Sequence, residues 1–277
     1  MNADLPLVSV CVPVYNGERF VEETLRSVLA QTYENWELVI AENRSKDCSL
    51  AVIEQFAKCT GDSRIRVHVN ERHLGSAPAN FNQAMGLARG EFIKVLCADD
   101  LLEPDCLARQ VQALQAHRGA VLAACAKKIV DANGRYLFSV KALREGLIPG
   151  REVVKTCLRT ARNLIGEPTM GLIRASALRG MSLMDTQVPC LTDLDFWLRL
   201  LLRGDLVFSC EPLASFRVHG QSQTRATEAL LTREFFVIAE AVSKELGQPF
   251  GLLQRARLAV RLPLQNALRR WIYRRFA

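Results

Sequence analysis

The sequence predicts an α/β protein: a mostly parallel sheet flanked by helices, followed by a helical C-terminal extension. Three observations carry this reading. Short apolar runs alternate with amphipathic segments over residues 7–96. The connections between them are short, as right-handed crossovers between parallel strands require. Acidic residues stop at Glu245 while arginines continue to Arg275, so the tail differs in character from the body.

Residues 7–14, LVSVCVPV, form a continuous β-branched apolar run, the pattern of a strand buried on both faces. Over 18–31, Phe20, Val21, Leu25, Val28 and Leu29 recur at helical spacing. A strand over 36–40, a helix containing 50–57, a strand over 65–69, a helix over 77–88 and an apolar strand over 92–96 complete the alternation. Ligands of such sheets lie outside the carboxyl ends of the strands. That rule selects the loops beginning at Tyr15, Glu42, Asn70 and Asp99. Farther along, 104–117 reads as a helix, 121–130 as a strand and Asp131-Ala-Asn-Gly134 as a hairpin turn. Helices are expected over 153–160 and 191–202, and two short strands over 206–209 and 214–218. From Thr227 the pattern is helical, broken at Pro249-Phe-Gly251, and Pro263 either opens a final helix or kinks a longer one.

The chain has 277 residues and a formal charge of +7. Setting aside the seven arginines beyond Glu245 leaves 29 basic against 29 acidic residues, so the body is neutral. A nucleic-acid binder with phosphate contacts across a folded face is thereby disfavoured. No apolar run reaches the roughly 18–20 residues that cross a bilayer. The opening MNADLPLVSV has no basic n-region, so no secretion signal is expected there. Nine scattered cysteines without a C-x-x-C pair suggest reduced thiols in the cytoplasm, and neither a zinc site nor a disulfide framework.

Five segments have the residue types for chemistry. Val12-Pro-Val-Tyr-Asn16 ends the first strand; Pro13 fits a strand end, and Tyr15 and Asn16 project beyond it, although a plain β–α turn explains the same residues. Ala41-Glu-Asn-Arg-Ser-Lys-Asp47 places Glu42 at the mouth of the sheet, where a nucleobase offers donors, while Ser45 and Asp47 suit helix capping. Asp99 and Asp100 directly follow the fourth strand. Adjacent carboxylates suit a hard divalent cation bridging to phosphate oxygens, or more simply an acidic helix entry. In Leu191-Thr-Asp-Leu-Asp-Phe-Trp-Leu-Arg199, Asp193 and Asp195 face different directions on a helix. Thr192 with Asp195 resembles a capping box, which leaves Asp193 as the better catalytic candidate. In Phe216-Arg-Val-His219, alternation puts Arg217 and His219 on one face of a strand, a pairing that suits a diphosphate and its metal or a structural role.

The order of these blocks resembles the family 2 inverting glycosyltransferases of the Rossmann-like GT-A fold. The likeness also takes in Asn70-Glu-Arg-His-Leu-Gly75 with Asn80 and Asn82, and Gly90-Glu-Phe-Ile-Lys94. It covers about residues 5–225, with a nucleotide-binding half to about 104, an acceptor half beyond it, and the extension over 226–277. The resemblance implies that Pro13, Tyr15 and Glu42 hold the nucleoside, most simply uridine, and that Asp99 contacts the ribose or assists the metal. It implies Asp100 as a ligand of Mg²⁺ or Mn²⁺, Asp193 as the general base, and Arg217 and His219 as groups steadying the diphosphate or metal. The implied partners are a nucleotide-sugar donor and a glycan or lipid-linked acceptor, in cell-surface polysaccharide or glycolipid assembly. A hexosyl or N-acetylhexosaminyl transfer is the implied reaction.

Three positions depart from the family pattern: Glu42 stands for the usual Asp, Cys97 for the first Asp of D-x-D-D, and Thr192 for a frequent Glu. Two other functions compete. A nucleotidyltransferase would open with a Gly-rich basic loop, whereas Tyr15-Asn-Gly-Glu18 is short and acidic. A non-catalytic module binding nucleotide sugar or membrane would need neither Asp100 nor Asp193. In the tail, Leu264, Leu268, Trp271 and Ile272 share one side of a helix with Arg269, Arg270 and Arg274 around it, and Arg275 falls on the apolar side. Such a helix suits the cytoplasmic face of an anionic membrane, or docking on protein.

Overall fold

The computed structural model describes residues 5–220, 228–248, 250–252, 255–256 and 258–262. Its first half alternates β1 (Val8–Val14), α1 (Val21–Leu29), β2 (Trp36–Glu42), α2 (Ser49–Thr60), β3 (Ile65–Val69), α3 (Ala77–Gly86) and β4 (Phe92–Val95). The second half runs β5 (Leu101–Leu102), α4 (Cys106–Ala116), β6 (Ala120–Val130), β7 (Tyr136–Val140), β8 (Gly146–Ile148), α5 (Gly150–Thr160), β9 (Gly171–Arg174), α6 (Thr192–Leu201), β10 (Asp205–Arg217) and α7 (Glu228–Glu245). Short 3₁₀ turns occupy Pro168–Met170 and Ala175–Leu178.

The sheet order is β3-β2-β1-β4-β9-β6-β10-β5, with β7 on β6 and β8 on β10. β1, β2, β3 and β4 pair in parallel. β9 is antiparallel to both β4 and β6, so β6 and its parallel neighbour β10 again run with the first four. The sheet is therefore one of mostly parallel strands, as expected. Chain order reverses where β1 lies between β2 and β4, which opens a crevice at their carboxyl ends.

Both faces of the sheet are covered, which explains the unbroken apolar runs. Val8, Val10, Val12 and Val14 pack with Val21, Leu25 and Val28 of α1 and with Ile53 and Phe56 of α2. Cys11 points the other way, into a core with Ala84 and Met85 of α3 and the apolar side of α6. At about 1.5–3 kcal/mol per fully buried Val or Leu side chain, these faces fix the strand register.

Two expectations change. The strands anticipated over 206–209 and 214–218 are one strand, β10, whose pairing with β6 shifts register around Pro212. Bulges there accommodate a proline that reads in sequence as a break. β9, with only four residues, was not anticipated, and neither were the short β5 and β8.

In the extension, Phe235, Ile238, Ala239 and Val242 of α7 join the core that holds α6, and Leu258 and Leu262 are buried in it too. Arg261 donates to the Arg159 carbonyl at 2.6 Å. The expected amphipathic helix around Leu264, Leu268, Trp271 and Ile272 lies outside the described residues. Among those described, no helix is long and apolar enough to cross a membrane.

Candidate active site

The strand ends are laced together by side chains. Pro13 lies beyond Cys11–Val95, the last β1–β4 pair, so its missing N–H leaves no gap in that ladder. The ring of Tyr15 packs on His73, centroids 4.5 Å apart. Asn16, at φ 53, accepts from the Lys46 N–H at 2.8 Å and donates its own N–H to Ser45 Oγ at 3.0 Å. Asp47 accepts from the Ser49 N–H at 3.0 Å at the head of α2 and from the Glu18 N–H at 3.1 Å, so it does serve the helix entry.

Glu42 is 1% exposed and already has a local role: its oxygens accept the N–H groups of Ser45 at 2.7 Å and Arg44 at 3.0 Å. Behind it, three buried asparagines tie the strands. Asn70 Nδ2 donates to Asn43 and Asn80, and Asn80 Nδ2 donates to the carbonyls of Val14 and Ala41. Each amide thus satisfies backbone or side-chain groups left over where the ladder ends.

Asp99, Asp100, Arg217 and His219 form one cluster at the end of β4. Asp100 is fully buried; one oxygen accepts from Thr169 Oγ1 at 2.6 Å and the other from the Arg217 N–H at 3.1 Å. Burial, and then the neighbouring Asp99 charge, hold the Asp100 carboxyl well above the usual carboxylate range. Asp99 is the more accessible carboxylate, its side chain 33% exposed, and it meets His219 Nε2 at 2.9 Å. The Arg217 side chain is 1% exposed and donates to the Asp99 carbonyl at 2.9 Å and to Glu23 at 2.7 Å. It therefore fixes the acidic loop from behind. Phe20 closes this side, its ring 4.6 Å from His219 and 4.8 Å from the Arg217 guanidinium.

Cys97 completes the acidic group: one ligand atom each from Cys97, Asp99 and Asp100 lie within 4.8 Å of one another. Burial, then the two carboxylates, push the Cys97 thiol up from its ordinary value. The oxygen donors suit a hard divalent ion that takes its remaining ligands from phosphate. Two carboxylates this close, one of them with its pKa raised, are the arrangement that a cation relieves.

Asp193 sits in the first turn of α6. Its Oδ1 accepts from the Leu194 N–H at 2.8 Å and its Oδ2 from Asn163 Nδ2 at 2.9 Å. Asp195 turns away, as its spacing predicts, and pairs with Arg199 at 2.6 Å. The anticipated capping box does not form. Leu191 is the N-cap, without a side-chain cap, and Thr192 donates to the Asp185 carbonyl at 3.2 Å. Arg199 competes successfully for Asp195 because it also donates to the carbonyls of Ser182 and Leu183.

Segment 163–169 joins the two carboxylate sites; it lies in the stretch 160–189, which sequence marks only broadly as shaping the acceptor site, with no residue of it named. Trp197 Nε1 donates to the Gly166 carbonyl at 2.9 Å, Glu167 pairs with Lys127 of β6, and Thr169 reaches Asp100. Its only sequence signal is Gly166-Glu-Pro-Thr169, a turn with functional side chains.

Comparison with known proteins gives this geometry a context. A protein of Mycobacterium tuberculosis without an assigned function is 32% identical over 84% of this chain and 73% of its own length. The putative teichuronic acid biosynthesis glycosyltransferase TuaG of Bacillus subtilis is 27% identical over 85% of this chain and 88% of its own. Two Rickettsia glycosyltransferases are matched over only 31% and 36% of their length. Among solved structures, S. aureus TarS in complex with UDP-GlcNAc superposes with a TM-score of 0.70 at 19% identity, over 92% of this chain and 71% of TarS. The mannosyltransferase PcManGT of Pyrobaculum calidifontis, in complex with GDP-Man and Mn²⁺, gives a TM-score of 0.62 at 20% identity, over 95% of this chain and 72% of its own. Residues 9–180 match the family described as glycosyl transferase family 2, and the chain belongs to that family.

Proposed function

We propose that the protein is a metal-dependent inverting glycosyltransferase that moves a hexosyl or N-acetylhexosaminyl group from a nucleotide sugar, most simply a UDP-sugar, to an acceptor hydroxyl. The observation that carries this reading is the connection of an acidic pair, Asp99 and Asp100, to a separate helix carboxylate, Asp193, through segment 163–169. One site suits a diphosphate and the other a proton transfer. UDP-GlcNAc in TarS and GDP-Man with Mn²⁺ in PcManGT support a nucleotide-sugar donor and a divalent ion for this fold.

In this reading Pro13, Tyr15 and the loop shaped by Glu42 receive the nucleoside, and Asp99 faces the ribose and diphosphate. Asp99 and Asp100 would hold Mg²⁺ or Mn²⁺, with His219 and Arg217 orienting them from behind. When bound, the ion offsets charge on the leaving diphosphate. Asp193 accepts the acceptor hydroxyl proton as that oxygen bonds to the anomeric carbon from the opposite face. The bond from that carbon to the diphosphate oxygen breaks, and the nucleoside diphosphate leaves with the electron pair. The acceptor is a glycan or lipid-linked sugar of cell-surface polysaccharide or glycolipid assembly, a reading supported by the name of the TuaG relative.

Asp193→Asn tests the assignment after a thermal-shift screen of UDP-, GDP- and dTDP-sugars with Mn²⁺ has chosen the donor. Transfer is expected to fall by at least about 100-fold, the lower end of a general-base contribution, with UDP affinity unchanged. Transfer at near wild-type rate would refute the base assignment.

A further inference from the structure

All four hydrogen-bonding positions of the Asn163 amide are used. Its Oδ1 accepts the N–H groups of Ile165 at 3.2 Å and Gly166 at 3.0 Å. Its Nδ2 donates to the Gly166 carbonyl at 3.0 Å and to Asp193 Oδ2 at 2.9 Å. Only one amide orientation satisfies this set, because the oxygen must face two N–H donors and the nitrogen a carbonyl and a carboxylate. The amide is thereby locked, and so is the direction of its donation to Asp193.

The frame behind Asn163 is also fixed. Helix α5 ends at Ala161 in the left-handed region, φ 57, which turns the chain toward α6. Gly166 has a φ of +100 and receives Trp197 Nε1 from α6 itself. The Leu194 N–H of α6 holds Asp193 Oδ1 while Asn163, in the loop after α5, holds Oδ2, so each carboxylate oxygen has its own orienting donor.

We propose that Asn163 is a positioning residue for the general base: it fixes the rotation of the Asp193 carboxylate so that one oxygen faces the acceptor hydroxyl. The inference rests on the assignment of Asp193 as base. Its effect belongs to the chemical step, because Asn163 makes no bond to the acidic pair or to the residues at the ends of β1 and β2.

The test compares wild type with Asn163→Ala, Asn163→Asp and Asp193→Asn. Release of nucleoside diphosphate is followed on whichever of UDP-glucose, UDP-GlcNAc and GDP-mannose the wild type turns over. UDP affinity with Mn²⁺ is measured by calorimetry, and Tm by thermal unfolding. Both Asn163 variants are expected to lose about 10- to 100-fold in kcat, the scale of a small misplacement of a reacting group. Donor KM and UDP affinity should stay within about twofold, the expected result for an interaction made only in the chemical step. Asn163→Asp is the discriminating variant. It keeps an oxygen for the Ile165 and Gly166 N–H groups, while its second oxygen has no hydrogen for the Gly166 carbonyl or Asp193. Tm reports whether the loop survives. A kcat loss that persists as pH rises reports lost positioning, whereas a loss that disappears at raised pH would reflect repulsion between the two carboxylates and overturn the proposal. Wild-type kcat in Asn163→Asp would show a loop-shaping role alone and overturn the proposal. Wild-type turnover by Asp193→Asn would instead overturn the base assignment beneath it, a separate outcome.

Discussion

Cys97 illustrates how position and donor chemistry separate at single residues. It stands within ligand distance of two carboxylates, yet its sulfur is a soft donor, poorly matched to a hard ion such as Mg²⁺. The carboxylates should therefore carry the metal. Cys97→Ser is expected to change UDP affinity in Mn²⁺ by less than about threefold, whereas Asp99→Asn and Asp100→Asn should each cost at least about tenfold, the scale seen even for outer partners of metal ligands. Calorimetry with and without Mn²⁺ measures both, and a tenfold loss in Cys97→Ser would make the thiol a ligand. At this scale the sequence revealed residue types but not their partners. Helical spacing predicts that Asp193 and Asp195 diverge, and they do, but the capping box used to choose between them does not form; Arg199 occupies Asp195 instead. Glu42 and Arg217 read as ligand-facing groups, while folding occupies the first with its own loop and the second with Glu23 and the acidic loop. Asn163 and Thr169 were not legible, because their roles depend on contacts 30 and 69 residues away.

Among the elements, those with a continuous apolar or helical period were readable, and those made by non-local pairing were not. β9 has too few residues to show a period and exists because β4 and β6 both offer it an edge. Its first residue also decides where α6 sits. A Cβ at Gly171 would lie 2.7 Å from Trp197 Cη2 and 3.0 Å from Leu122 Cδ1. Both neighbours are fully buried, so neither side has room to give. Gly171→Ala is expected to destabilise by about 1–3 kcal/mol through overpacking, which lowers Tm by about 2–12 °C for a chain of this size. Because Trp197 also holds the Gly166 carbonyl, kcat should fall further than donor affinity. An unchanged Tm would mean that the indole moves aside freely.

Over the whole molecule, the distribution of charge separates the chemistry from its location. The body is neutral, while seven arginines and no acidic residue follow Glu245. The start of that segment belongs to the fold, since Leu258 and Leu262 are buried with α6 and α7. A truncation that removed them would confuse unfolding with loss of a binding surface. The informative variant ends at Leu262: it keeps the docked residues and deletes Arg269, Arg270, Arg274 and Arg275 together with Trp271. If the tail holds the enzyme at an anionic membrane, each deleted arginine removes about 1 kcal/mol of attraction. Flotation with phosphatidylglycerol vesicles at low salt should then fall at least tenfold, with Tm and turnover of a water-soluble donor preserved. Binding of the full chain should weaken as salt rises, because the charges act through screened solvent. Equal flotation of the two chains would assign the tail to protein contacts instead, and a lipid-linked acceptor would then have to reach the site without help from these residues.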